Sequence, residues 1–445
     1  MGNSRQPQRN SDIASALVEA RARYAAARPA SAALHAEAVQ VLPGGNTRSV
    51  LAYGPFPAAM ARGEDCRLWD IDGHAYLDLC GEYTAGLFGH SEPRILAALQ
   101  AALARGVNLA AVGEAEVRLA QLLCGRFASL QRVRFTNSGT EANLMALTAA
   151  RAFTGRPAIL AFRGGYHGGV LTFPLAGTSP ALAPFPFVLA DYNDAAGAVA
   201  AIRAQGPKLA AVVVEPMLGS GGCIPALPGF LEALRTATAE TGALLILDEV
   251  MTSRSSAGGQ QGRLGLLPDL TTLGKYIAGG MSFGAFGGRA DVMDAFGGSI
   301  PHAGTFNNNV LSMAGGVVAM GEIFDAAAAE ALFARGEALR ERLNAICRGE
   351  AVPMVFTGLG SMLCPHFGAG PFDRPRPQDT LAEGLRELFF FDMLEAGIYL
   401  ARRGMAALSL VVTEAGLDRF AGAVAEFARL RGALLRDLAA SPEAG

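Results

Sequence analysis

Lysine is almost missing from this chain. Of 37 basic residues in 445, two are lysine, Lys208 and Lys275, and all the others are arginine. An excess of one charge is missing too. The net charge is −3 and the basic residues are scattered, which excludes the electrostatic footprint of a nucleic-acid or anionic-membrane binder. There is no uninterrupted apolar run of about 20 residues, so no membrane span is expected. The opening MGNSRQPQRN has no apolar core of a signal peptide, and Gln6 breaks the myristoylation pattern. Cysteine is scarce: six residues with no C-x-x-C pair argue against a disulfide framework or a structural zinc site and for reduced thiols in a cytoplasm. No metal site is expected. Neither a G-x-G-x-x-G fingerprint nor H-E-x-x-H is present, and Asp269 and Tyr276 break the P-loop pattern around Lys275.

What is present is apolar and rhythmic. Hydrophobic residues make up 51% and charged ones 17%, the balance of a globular protein with much buried surface. The first dozen residues read as disordered. An Ala-rich helical stretch from about 13 to 40 ends before the turn signal PGGN. LWDIDGHAYLDL reads as a hairpin turning at Asp72-Gly73. RVRFTNSG, PAILAF, LAAVVVEP and GALLILDEV read as buried strands, alternating with helical stretches such as EANLMALTAARAFTG. That alternation predicts an α/β fold with a mostly parallel sheet covered by helices. After about residue 320 the pattern changes to long helices and scattered strands, a smaller α+β unit. The expected division is an N-terminal segment 1–66, a large domain 67–320 and a small C-terminal domain 321–445.

Ligands of open α/β sheets bind at strand ends. RVRFT runs into Asn137-Ser138-Gly139-Thr140, a small-residue turn that either receives an anion at a helix N-terminus or is an ordinary cap. GALLILDEV ends in Asp248-Glu249, carboxylates that must meet a cation, a donor or water, or cap the next turn. Lys275 sits in TTLGKYIAGG, a poor setting for a solvated charge. Unlike arginine, lysine can lose its proton and form an imine with an aldehyde. A phosphate cup, a carboxylate for a ring nitrogen and a Schiff-base lysine are together what pyridoxal phosphate requires. A rival is Gly280-Met281-Ser282-Phe283-Gly284, which satisfies the G-x-S-x-G elbow of a serine hydrolase with Ser282 as nucleophile.

FTNSGTEANLMAL, GGYHGG, VVVEP, LILDEVMTSR, PDLTTLGKYIAGGMSFGAFGGR and HAGTFNNNVLSMAGG, in this order, resemble the consecutive blocks of class III, fold-type-I aminotransferases. The resemblance runs from about residue 40 almost to the end. It is nearest to the glutamate-1-semialdehyde aminomutase branch. RSVLAYGPFP and TFNNN make it similar to the transaminases of 3-aminocarboxylates such as β-phenylalanine. The implied cofactor is pyridoxal phosphate. The implied partners are an amino acid, a keto acid (2-oxoglutarate or pyruvate) and a second copy of the chain.

By that resemblance Lys275 would carry the cofactor and shuttle the proton, and Asp248 would pair with the ring nitrogen. Tyr166 would stack on one face of the ring, with Val250 on the other. Ser138, Gly139 and Thr140 would bind the phosphate, joined by Thr305 from across a dimer interface. Glu215 would support the cofactor, and Arg48 and Arg403 would bind substrate carboxylates, with Arg402 the alternative after a slip of one. A 2,1-aminomutase using the same lysine is the related alternative. Ala52 departs from the family pattern, which often has an aromatic residue there, and widens the expected pocket.

Overall fold

The computed structural model describes residues 12–368, 370–377 and 380–440. The disorder expected for the first dozen residues falls, Asp12 apart, outside them. Asp12 caps the first helix, its Oδ1 accepting from Ser15 N at 3.0 Å.

A seven-stranded sheet organises the middle of the chain. In spatial order its strands are Arg132–Thr136, Gly284–Gly288, Leu270–Gly274, Leu244–Asp248, Leu209–Val214, Ala158–Phe162 and Phe187–Ala190. Gly284–Gly288 runs antiparallel to both neighbours, and the other pairings are parallel. The four strands read from sequence are all here. Leu209–Val214 and Leu244–Asp248 are buried along their whole length, as apolar runs covered on both faces must be. The glycine-rich strand GAFGG has a steric reason. A Cβ at Gly284 would overlap the Ser138 carbonyl, and one at Gly288 the Asp269 carbonyl, so only glycine lets the flanking backbones approach.

The hairpin expected around Asp72-Gly73 forms, with Arg67 opposite Leu77 and Trp69 opposite Ala75. With Met60–Glu64 and, in parallel, Ile398–Tyr399 it makes a four-stranded sheet. Residues on either side of the large sheet thus share one structure. The first helical stretch is two helices, Ile13–Ala26 and Pro29–Ala38, because Pro29 has no N–H to continue the first and suits the start of the second. Ile13–Ala26 lies on Thr380–Glu395, where the Tyr24 and Phe391 rings are 5.3 Å apart. The amphipathic stretch DRFAGAVAEFARLRGALLRDL, which reads as one helix, is likewise split between two, Glu414–Leu430 and Gly432–Ala440. Arg431 at the break is buried and pairs with Asp392 at 2.9 Å.

Among the described residues no helix is long and apolar enough to cross a membrane. All six cysteines are free.

Candidate active site

Parallel strands end on one edge of a sheet, and here that edge gathers the candidate residues. Ser138 caps the helix Gly139–Thr154, its Oγ accepting from Glu141 N at 3.2 Å. The N–H groups of Gly139 and Thr140 lie in the first turn, where a helix offers them no internal acceptor. Space at 139 is tight, since a Cβ there would lie 3.0 Å from a Val250 methyl. Val250 also closes on Gly274, at 3.3 Å from a Cβ built there. The turn 138–140, Val250 and the residue before Lys275 therefore meet in one tight contact.

Asp248 ends its strand buried. Its Oδ1 accepts from Val250 N at 3.0 Å, and its Oδ2 accepts from Asn143 Nδ2 at 2.9 Å and from His167 Nδ1 at 2.7 Å. A bond from imidazole to carboxylate places the ring proton on Nδ1. Burial by itself lowers the His167 pKa, but the hydrogen bond to Asp248 and the charges of Asp248 and Glu215 outweigh it, so the net shift is upward. Asn143 is a hub: its Nδ2 also donates to Gly139 O, and its Oδ1 accepts from Thr272 Oγ1 at 2.9 Å. The neighbouring Glu249 takes the ordinary role weighed above. It caps Gly259–Leu264 by accepting from Gln260 N at 2.7 Å and Gln261 N at 2.8 Å.

Lys275 follows the strand Leu270–Gly274 with a left-handed backbone, φ +57°. Burial of its amine is the main cause lowering its pKa to about 8, and the Arg403 charge adds to this. Asp248 and Glu82 oppose. Glu215 is buried at the end of LAAVVV, with Oε1 accepting from Tyr166 N at 2.9 Å and Oε2 from Gly219 N at 3.0 Å. Desolvation raises its pKa to about 7. Tyr166 is thus held by its backbone while its side chain is 45% exposed. Thr140 Oγ1 accepts from Gly169 N at 3.3 Å, tying the 166–169 loop to the helix start.

The arginines reach the site through Tyr83. Arg48 lies 5.5 Å and Arg403 5.4 Å from the centre of its ring. Arg48 is also ion-paired with Glu82. The neighbouring Arg402 is exposed and turned towards Glu387, 3.7 Å away. Thr305 is exposed, on the segment leading to Asn307, whose Oδ1 accepts from Asn137 Nδ2 at 3.0 Å. Ser282 does not form a nucleophile elbow. A short turn precedes it and a strand follows, the reverse of the strand–turn–helix an elbow needs, and its Oγ donates to Asn137 O at 2.7 Å. The hydrolase reading fails on that geometry.

Sequence reasoning missed His167, Asn143, Glu82 and Tyr83. The first two stand inside motifs already quoted, GGYHGG and NSGTEAN, whereas Glu82 and Tyr83 carry no local signal.

A helix N-terminus for a phosphate, a buried carboxylate braced by three donors, and a lysine with a lowered pKa form a donor set that fits pyridoxal phosphate. This fold and site define a class III aminotransferase. Residues 50–420 match the family model described as aminotransferase class-III, and the chain belongs to that family. It is an enzyme, and class III aminotransferases depend on pyridoxal phosphate. Among particular proteins, it is 52% identical to the beta-phenylalanine transaminase of Variovorax paradoxus over 426 residues, 95% of this chain and 98% of that one. The crystal structure of a beta-phenylalanine aminotransferase from the same organism matches with a TM-score of 0.93 at 51% identity, covering 95% of this chain and 99% of the other. An omega-transaminase from Sphaerobacter thermophilus matches with a TM-score of 0.85 at 37% identity, covering 91% and 98%. A glutamate-1-semialdehyde 2,1-aminomutase of Pelotomaculum thermopropionicum is more distant, 37% identical over 391 residues, 83% of this chain and 90% of that one.

Proposed function

We propose that this chain moves the amino group of a 3-aminocarboxylate, of the β-phenylalanine kind, to 2-oxoglutarate or pyruvate. The observation that carries the substrate class is the pair Arg48 and Arg403 at one tyrosine ring, with Arg403 in electrostatic reach of Lys275. The similarity to a beta-phenylalanine transaminase over nearly the whole chain supports it. When bound, pyridoxal phosphate supplies an aldehyde carbon and an electron-withdrawing ring that stabilises negative charge beside it.

The chain's own groups do the rest. Lys275, with its pKa near 8, holds far more neutral amine near neutral pH than an exposed lysine does, and carries the proton to and from the substrate carbon. Asp248 would face the ring nitrogen, its side chain oriented by His167 and Asn143. Ser138, Gly139 and Thr140 would hold the phosphate, and Tyr166 and Val250 would enclose the ring. Glu215 fixes the Tyr166 backbone. Arg48 and Arg403 hold the carboxylates of donor and acceptor by bidentate hydrogen bonds. Ala52 lines the cleft beside Arg402 and Arg403, where a small side chain leaves room for a bulky substrate. The working unit is a homodimer in the cytoplasm, with Thr305 of the partner subunit at the phosphate.

The test is an absorbance spectrum of the purified protein before and after 3-amino-3-phenylpropanoate is added without a keto acid. A visible band that bleaches as one equivalent of 3-keto acid is released is expected. A coloured protein that retains its band refutes the substrate class. Bleaching without release of the keto acid favours the aminomutase.

A further inference from the structure

The ion pair of Arg48 with Glu82 differs in kind from a structural one. Arg431 and Asp392 are joined by two bonds, Nε to Oδ2 at 2.9 Å and Nη2 to Oδ1 at 3.1 Å, with side chains only 1% and 7% exposed. Arg48 reaches Glu82 through Nη1 alone, and the two side chains are 43% and 56% exposed. Among the described residues that is the one hydrogen bond either side chain makes. A buried bidentate pair fixes a fold, whereas an exposed pair with one bond adds little to stability and exchanges readily.

Glu82 also stands where the backbone opposes it. Its φ of +47° is left-handed, a conformation that glycine, the residue just before it, adopts without strain. A carboxylate at this point therefore serves something other than the turn. The site lies within its reach. Burial is the main influence on the Lys275 amine, but the charges of Glu82 and Arg48 act on it too, in opposite directions. The Tyr83 hydroxyl donates to Val50 O at 3.2 Å, holding the Arg48 loop to the turn. Guanidinium and carboxylate thus stay neighbours when their bond opens.

A transaminase must release one acid before it takes the next. A bound carboxylate can hold a guanidinium by two parallel bonds, more strongly than Glu82 does with one. We infer that Glu82 is the exchange partner of substrate carboxylates at Arg48, yielding the guanidinium to the bound acid and recovering it as the product leaves. Glu82 is a positioning residue that acts through Arg48 and sets KM and product release. This rests on the role of Arg48 in the transaminase reading above.

The experiment measures binding of 3-phenylpropanoate, a carboxylate without an amine, to the holoenzyme by calorimetry. KM and kcat for 3-amino-3-phenylpropanoate and for 1-phenylpropylamine are measured alongside. Glu82→Gln should tighten 3-phenylpropanoate binding about two- to fivefold, the worth of an exposed ion pair. It should lower KM for the amino acid by the same factor without raising kcat, and leave KM for the simple amine unchanged. A purely structural role would weaken binding instead. With Arg48→Ala already in place, Glu82→Gln should change 3-phenylpropanoate binding no further. Glu82→Gly, which suits the left-handed backbone, should give the same gain and carries the test if Glu82→Gln does not fold. Binding unchanged or weakened by both substitutions, or tightened equally without Arg48, overturns the exchange. Binding of 3-phenylpropanoate that Arg48→Ala leaves at the wild-type level overturns instead the role given to Arg48 in that reading.

Discussion

The lowered pKa of Lys275 can be tested directly because the chain has only one other lysine. The site removes the amine from water, which penalises the ammonium form, and the Arg403 guanidinium repels it further; the carboxylates of Asp248 and Glu82 pull the other way without prevailing. With a pKa of about 8, about 9% of the amine is neutral at pH 7, against roughly 0.04% for a lysine at the model-peptide value near 10.4. That is a roughly two-hundredfold larger pool of nucleophile. Cofactor-stripped protein pulsed with acetic anhydride at a series of pH values, and read by mass spectrometry, gives one labelling curve for Lys275 and one for the exposed Lys208 as reference. The Lys275 curve should rise about tenfold per pH unit and flatten near pH 8. Its midpoint, rather than its absolute rate, is the measure, because burial slows access equally at every pH. Arg403→Gln should move the midpoint up and Glu82→Gln should move it down. A Lys275 curve still rising beyond pH 10 would show that the site does not depress this lysine and would refute the reasoning.

Three further outcomes are expected. His167→Phe leaves Asp248 Oδ2 with Asn143 alone and should lower kcat by about 10- to 150-fold, the worth of a hydrogen bond to a charged group; His167→Asn, whose amide nitrogen can occupy the Nδ1 position, should recover part of the loss, whereas equal losses in both variants would deny the hydrogen bond its role. Arg48→Ala should reduce kcat/KM for carboxylate substrates about 10- to 150-fold, with far less effect on a simple amine of similar shape; equal losses on both would remove its assignment. Gly284→Ala forces a methyl against the Ser138 carbonyl and should destabilise the fold by roughly 1–3 kcal/mol, seen as a lower urea midpoint at constant slope.

What sequence made legible was whatever one element decides by itself. Leu244–Asp248 is buried throughout, so its composition announces a covered strand and its terminal acid announces a site. Lys275 stands out because it is a rare residue in an apolar setting. GAFGG shows only a short strand-like piece in sequence, because its glycines answer neighbouring backbones that are distant in sequence. The break at Arg431 is hidden as well, since an ion pair with Asp392 compensates for burying the charge. His167 is similar: nothing in GGYHGG distinguishes a surface histidine from one bonded to a carboxylate 81 positions away. The choice between Arg402 and Arg403 turns on which side chain faces Tyr83, and that is a property of packing.

The residues joining the two arginines lie on the most strained backbone in the site. Gly81, Glu82, Tyr83 and Thr84 are consecutive in the left-handed region, with φ of +50°, +47°, +55° and +80°. For a residue with a side chain this conformation costs about 1–2 kcal/mol, so three in a row form only where the surroundings compel them. Asp78 compels them from one end, its Oδ1 accepting from Cys80 N at 2.9 Å and Gly81 N at 3.0 Å while its Oδ2 bonds His90 Nε2 at 2.9 Å. Arg254, fully buried, compels them from the other by donating to Thr84 O at 3.3 Å. Between these anchors the Tyr83 hydroxyl donates to Val50 O at 3.2 Å, which ties the Arg48 loop to the turn. A right-handed turn over the same residues would point Glu82 and Tyr83 elsewhere and separate Arg48 from Arg403. The strain is therefore accounted for by what it positions: an acid that pairs with Arg48, and a ring that brings an N-terminal and a C-terminal arginine to the same lysine.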